Sequence, residues 1–100
     1  MAPVIKEKPK IVKVVKERIV VECLVFAATR PSVTWFKETT AIKESSQYAV
    51  QIEEVTKGQY SVALEISKPT KDNKGQYKLV ATNEKGEVSS QAVQVDVDGN

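Results

Sequence analysis

Cys23 is the only thiol in this 100-residue chain, and a thiol acts as a nucleophile only when a base or a positive field draws off its proton. The chain contains no histidine. Cys23 also lies in an apolar run, Ile19-Val20-Val21-Glu22-Cys23-Leu24-Val25-Phe26, which disfavours the thiolate. It reads as a buried, inert thiol. Carboxylate chemistry fares no better. Glu53 and Glu54 are adjacent, so on a strand they point to opposite faces and cannot flank one bond. Asp96 and Asp98 stand two apart, without the glycine and glutamate that a calcium loop requires. One cysteine and no histidine make no zinc set, and the four glycines form no phosphate-cradling loop. Tyr77 could serve as a general acid and Trp35 as a stacking platform, but a single indole more simply plugs a core, where it covers a large apolar area. The residues point away from an enzyme and call for no cofactor and no metal.

The elements that carry these side chains must come from a single domain. One hundred residues match the common domain size of roughly 100–150, and such a chain can bury about 65% of its unfolded surface. Hydrophobic residues at 41% and charged residues at 28% exclude a fully disordered chain. A net charge of +2 is too small for a nucleic-acid binder. The longest apolar runs fall far short of the ~20 residues that span a bilayer, and no signal peptide or Asn-x-Ser/Thr sequon is present.

Period-two alternation dominates, as in half-buried antiparallel strands. Tyr60, Val62, Leu64 and Ile66 alternate with smaller or polar residues, as do Tyr48, Val50 and Ile52, then Tyr77, Leu79 and Ala81, then Val93, Val95 and Val97. Turn signals recur about every 8–12 residues: Pro31-Ser32, Thr56-Lys57-Gly58-Gln59, Asp72-Asn73-Lys74-Gly75 and Asn83-Glu84-Lys85-Gly86. The spacing predicts strands over 3–8, 10–15, 18–26, 32–37, 47–54, 59–67, 76–83 and 87–97. The first two read as one edge strand broken around Pro9, because proline cannot donate to a ladder. Residues 1–2 and 98–100 are expected to fray, leaving a core over 3–97.

Cys23, then Trp35, then Leu64-Glu65-Ile66, then Asn73-Lys74-Gly75-Gln76-Tyr77-Lys78-Leu79, and finally Ala81-Thr82-Asn83-Glu84-Lys85-Gly86 form an ordered set. This set resembles the intermediate-set immunoglobulin domain across essentially the whole chain. The resemblance implies an all-β, antiparallel immunoglobulin-like sandwich with Cys23, Trp35, Leu64, Ile66, Tyr77 and Leu79 in its core. Tyr77 would then be a tyrosine corner, its hydroxyl bonded to backbone upstream. The family's second cysteine would fall at Leu79, so there is no intrachain disulfide; Leu79 should pack on Cys23 and Trp35. The motif's aspartate is replaced by Asn73, which should weaken any bond made there. Lys16-Glu17 stands where a Glu-Gly turn is usual, so that turn should differ. Between Gly86 and Val93 the chain holds one residue more than is usual in the family that its anchor residues resemble, which suggests a bulge.

A sandwich without its disulfide, sequons or a leader suits a reducing compartment. The runs Val33-Thr34-Trp35-Phe36-Lys37-Glu38 and Lys74-Gly75-Gln76-Tyr77 are similar to modules of the giant intracellular muscle proteins, the twitchin and titin class. That resemblance implies a monomeric structural bead in a cytoplasmic, sarcomeric tandem array, used for spacing, load-bearing and protein–protein interaction. Its partners would be neighbouring immunoglobulin and fibronectin type III modules and thick-filament or M-line proteins, with any kinase elsewhere in the parent chain. The alternative is an extracellular adhesion or receptor domain that lost its disulfide. Residues 6–18 carry six cations against two carboxylates, a basic edge that either protects the strand from aggregation or meets an acidic partner. Strands 10–15 and 87–97 are expected to lie side by side, so that tension shears the bonds between them and Val14→Pro weakens resistance to pulling.

Overall fold

The computed structural model describes residues 2–97, and the expected fraying at residues 1 and 98–100 lies outside them. Ala2 is half-buried. Among the described residues nine strands form two antiparallel sheets: β1 (Lys10–Val15), β2 (Arg18–Phe26), β3 (Ser32–Lys37), β4 (Thr40–Ala41), β5 (Tyr48–Thr56), β6 (Gln59–Ser67), β7 (Gly75–Asn83), β8 (Gly86–Ser89) and β9 (Val93–Val95). The first sheet runs β1-β2-β6-β5. The second runs β4-β3-β7-β8, with β9 continuing along β7. A 3-10 turn over Lys71–Asn73 leads into β7.

Alternation decides which face is inside. Ile19, Val21, Cys23 and Val25 on β2 and Tyr60, Val62, Leu64 and Ile66 on β6 are buried. Opposite them lie Trp35, Tyr77, Leu79, Ala81 and Val95. Side chains of this size each contribute about 1.5–3 kcal/mol when fully buried. These two inner faces are the core that the spacing predicts.

Two-residue turns close four hairpins among the described residues, one of them pairing Lys37 with Thr40 across Glu38-Thr39. Thr56 pairs with Gln59 and Asn83 with Gly86. Gly58 supplies φ +79° in the first, a conformation that a side chain would strain. In the second, Asn83 Oδ1 accepts from the Lys85 N–H at 2.8 Å. Val15 pairs with Arg18 across Lys16-Glu17. Neither residue of that turn has positive φ, so it forms without the glycine that the family pattern carries there.

The sequence reading needs correction at the chain's two ends. Residues 3–8 do not form a strand; Val4 makes an isolated bridge to Phe26, while Pro3 and Pro9 turn into the protein. The broken-edge reading stands in the pairing itself, since both Val4 and β1 lie along β2. The segment 87–97 splits into β8 and β9. Val80 faces Ser89 while Tyr77 faces Val93, so three steps on β7 match four on the partner, a one-residue bulge. Ser90 sits in it: its N–H donates to Leu79 O and its Oγ accepts from Leu79 N–H, both at 2.8 Å. Most consequentially, β1 pairs with β2, β9 pairs with β7, and the two do not pair with each other. The expected shear contact between 10–15 and 87–97 is absent, and with it the mechanical rationale for Val14→Pro. The two-residue β4 lies between the expected strands 32–37 and 47–54 and is not among them.

Candidate functional site

The six anchor residues occupy one core. Cys23 is 2% exposed, and Trp35, Leu64, Ile66, Tyr77 and Leu79 are fully buried in the same cluster. Trp35 on β3 faces Leu79 on β7 directly across the ladder. Cys23 comes from the opposite sheet, on β2, where it faces Val62. Burial pushes the Cys23 thiol up to about 11, so at neutral pH it stays protonated and hidden from reagents. Its thiol makes a long polar contact, 3.9 Å to Leu24 O. Trp35 Nε1 is buried with no acceptor among the described residues. No group of ligating side chains that could hold a metal occurs among the described residues.

Beneath it lies a polar lock. The Tyr77 hydroxyl donates to the carbonyl of Asn73 at 2.5 Å, four residues upstream. Burial, and then the neighbouring Tyr48 hydroxyl, hold the Tyr77 phenol far above its ordinary value. Asn73 is itself buried and uses both ends of its amide. Oδ1 accepts from Thr70 N–H at 2.8 Å and from Gln47 Nε2 at 3.1 Å, and Nδ2 donates to the Tyr48 hydroxyl at 2.8 Å. The Thr70 Oγ1 in turn accepts from Asp72 N–H, which closes a capping box around the 3-10 turn. Asn73 is therefore a hub joining β5, the turn and β7. The expectation that asparagine only weakens this position is incomplete, because an amide can donate to Tyr48 and a carboxylate cannot. The Thr70-x-x-Asn73 spacing carries the sequence signal for this hub. Gln47 and Ser90 carry none, since their roles depend on where the chain returns.

Gly75 completes the lock. Its φ is +155°, and a Cβ there would stand 2.9 Å from Glu38 Oε2. Glu38 needs that space because its carboxylate accepts from Gln76 N–H at 2.9 Å. The glycine of the Asn-Lys-Gly-Gln-Tyr run is thus demanded by conformation, and a Cβ there would also push the flexible Glu38 carboxylate off its bond.

Removing only the phenolic oxygen should cost a measurable part of the stability. Tyr77→Phe leaves the buried ring but strips the Asn73 carbonyl of its donor, an expected loss of about 1–2 kcal/mol. Urea unfolding should show a lower midpoint with an unchanged slope. An unchanged midpoint would mean that the hydroxyl adds nothing to the corner.

The described surface carries open grooves. One, on the outer face of the first sheet, is lined by Val12, Lys13, Arg18, Val20 and Ala63 among others. Arg18 pairs with Glu65 at 3.1 Å and Lys10 with Glu7 at 3.6 Å. Lys6 Nζ lies 4.5 Å above the Phe26 ring, a cation–π contact. Phe36 is half-buried with Lys78 Nζ 5.9 Å from its ring.

This geometry has known counterparts. Contactin-1a of Danio rerio is 31% identical over 83 residues, which is 83% of this chain and 7% of that protein. A titin A168–A169 structure superposes with a TM-score of 0.72 at 28% identity, covering 90% of this chain and 45% of that one. A chimeric titin Z1Z2 tandem gives 0.73 at 28% identity, covering 98% and 50%. The chain spans about 7% of the length of the curated relatives it matches. A family model for the immunoglobulin I-set domain matches residues 3–97. With that match added to the two-sheet topology and the Tyr77 corner, the chain belongs to the immunoglobulin I-set family.

Proposed function

We propose that this domain is a structural and protein-binding unit of a long multidomain chain of the titin-like class, working in a reducing compartment. The observation that carries this reading is Leu79. It fills the position of the family's second cysteine with an aliphatic side chain, fully buried opposite Trp35. A core closed this way does not depend on oxidation. The 28% identity to two titin structures supports the same class. In such an array the domain, 44 Å along its longest axis, acts as a spacer that bears load and presents its surfaces to partner proteins. The muscle sarcomere is the setting we propose, with neighbouring immunoglobulin and fibronectin type III modules and filament proteins as partners.

The likeness to contactin-1a favours a second reading, an extracellular adhesion domain whose disulfide has been replaced. Antibody raised against the folded domain separates the two. Regular striations seen only after permeabilisation of muscle fit the sarcomeric role. Staining of intact cell surfaces would overturn it in favour of adhesion.

A further inference from the structure

We propose that β1 is a docking edge that takes an extended, acidic strand from a partner protein. This inference stands apart from the cellular setting proposed above and holds on either side of a membrane.

β1 is bonded to β2 on one side and, among the described residues, to no strand on the other. All six of its residues are exposed. Ile11 and Val14 face Val21 and Ile19 across the ladder, so both side chains lie on the core side of the sheet. Even so, Ile11 is 37% and Val14 64% exposed, because the second sheet does not reach over them. The last strand of the second sheet, β9, is three residues long and among the described residues pairs with β7 alone. Val12 is the extra residue of a bulge between Ile11 and Lys13. It lies in the groove on the outer face, and it is 52% exposed. The edge thus combines unpaired backbone groups with apolar side chains on both faces, as a strand-addition site requires.

Charge selects the occupant. Lys8, Lys13 and Lys16 are exposed along this edge and have no carboxylate partner among the described residues. A second copy of β1 laid alongside would bring lysines against lysines, and like charges on paired strands repel. Lysines on an edge are a common guard against such self-pairing. A strand in which apolar residues alternate with aspartate or glutamate satisfies the apolar flank and the lysines together. An anionic lipid surface could meet the lysines but offers no donor and acceptor row for the strand edge.

The probe is a blocked heptapeptide of alternating glutamate and valine, titrated into the ¹⁵N-labelled 100-residue chain at low and physiological salt. We expect saturable amide shifts centred on residues 10–15, with weaker binding at the higher salt. Lys13→Glu with Lys16→Glu should weaken binding at least tenfold and create binding to the matching lysine–valine peptide. Val14→Pro should also weaken it at least tenfold, while Val55→Glu, on the opposite edge of the same sheet, changes it less than twofold. Should Val14→Pro fail to fold, the exposed charge-reversal pair decides. Absence of saturable shifts up to 2 mM peptide, or shifts centred outside β1, overturns the proposal. So does self-association of the chain that Val14→Pro abolishes, which would make a second copy the occupant. Sedimentation with phosphatidylserine vesicles that the peptide cannot compete would assign the edge to lipid instead.

Discussion

Leu79→Cys should make the stability of this domain depend on redox conditions by about 4 kcal/mol. The substitution restores the second cysteine of the family pattern opposite Cys23, in a core where both positions are sealed from solvent. A bond between residues 23 and 79 closes a loop of roughly 57 residues, and the chain-entropy relation gives about 4 kcal/mol for a loop of that length. Without oxidation the change only removes buried volume, and a large-to-small substitution in a packed core costs about 1–3 kcal/mol. The sign of the mutation therefore reverses between the two states: below wild type in dithiothreitol, above it after oxidation. Denaturant midpoints with and without reductant measure both arms, and a thiol assay reports whether the bond formed. Two free thiols after oxidation, with one midpoint throughout, would mean that the Cys23 and Leu79 positions do not meet disulfide geometry. The natural leucine is the better residue wherever the bond cannot persist, which is the physical content of the reducing-compartment proposal.

How far the sequence could be read depended on whether a residue's role was local. β2, β3 and β6 match their sequence-based bounds: β6 carries an unbroken alternation, while β2 is an apolar run that ends before the Pro31-Ser32 break, after which β3 begins. The bulge at Ser90 was legible as a count, one residue too many between Gly86 and Val93. The two residues of β4 are too few to show any period. Lys10–Val15 was recognisable as a strand, but its partner was not. Lysines at 10 and 13 both face outward because the bulge at Val12 resets the alternation, and such a pattern does not say which strand lies beside it. The lock around Asn73 was half visible. Tyr77 and the turn could be read from spacing, whereas Gln47 and Tyr48 reach Asn73 only through the return of β5, a separation of about 25 residues.

Trp35 tests the balance between volume and polarity in this core. Trp35→Ala should cost about 3–5 kcal/mol, the usual loss for deleting a buried aromatic side chain, and that is a large share of the 5–15 kcal/mol that holds a domain together. Trp35→Phe separates two terms that the alanine variant merges. The smaller ring leaves part of the cavity empty and forfeits apolar contact, which destabilises. It also removes the buried Nε1–H, which has no acceptor among the described residues and whose burial costs about 1–3 kcal/mol. The two terms oppose each other at similar size, so Trp35→Phe should stay within about 1 kcal/mol of wild type. Equilibrium unfolding at pH 7 followed by circular dichroism, which does not rely on the indole that both variants lack, gives the comparison. If Trp35→Phe is as damaging as Trp35→Ala, the indole nitrogen is hydrogen-bonded in solution and the core holds a polar contact at its centre. If it is nearly neutral, Trp35 is retained for volume alone, as the plug that lets Leu79 replace a disulfide.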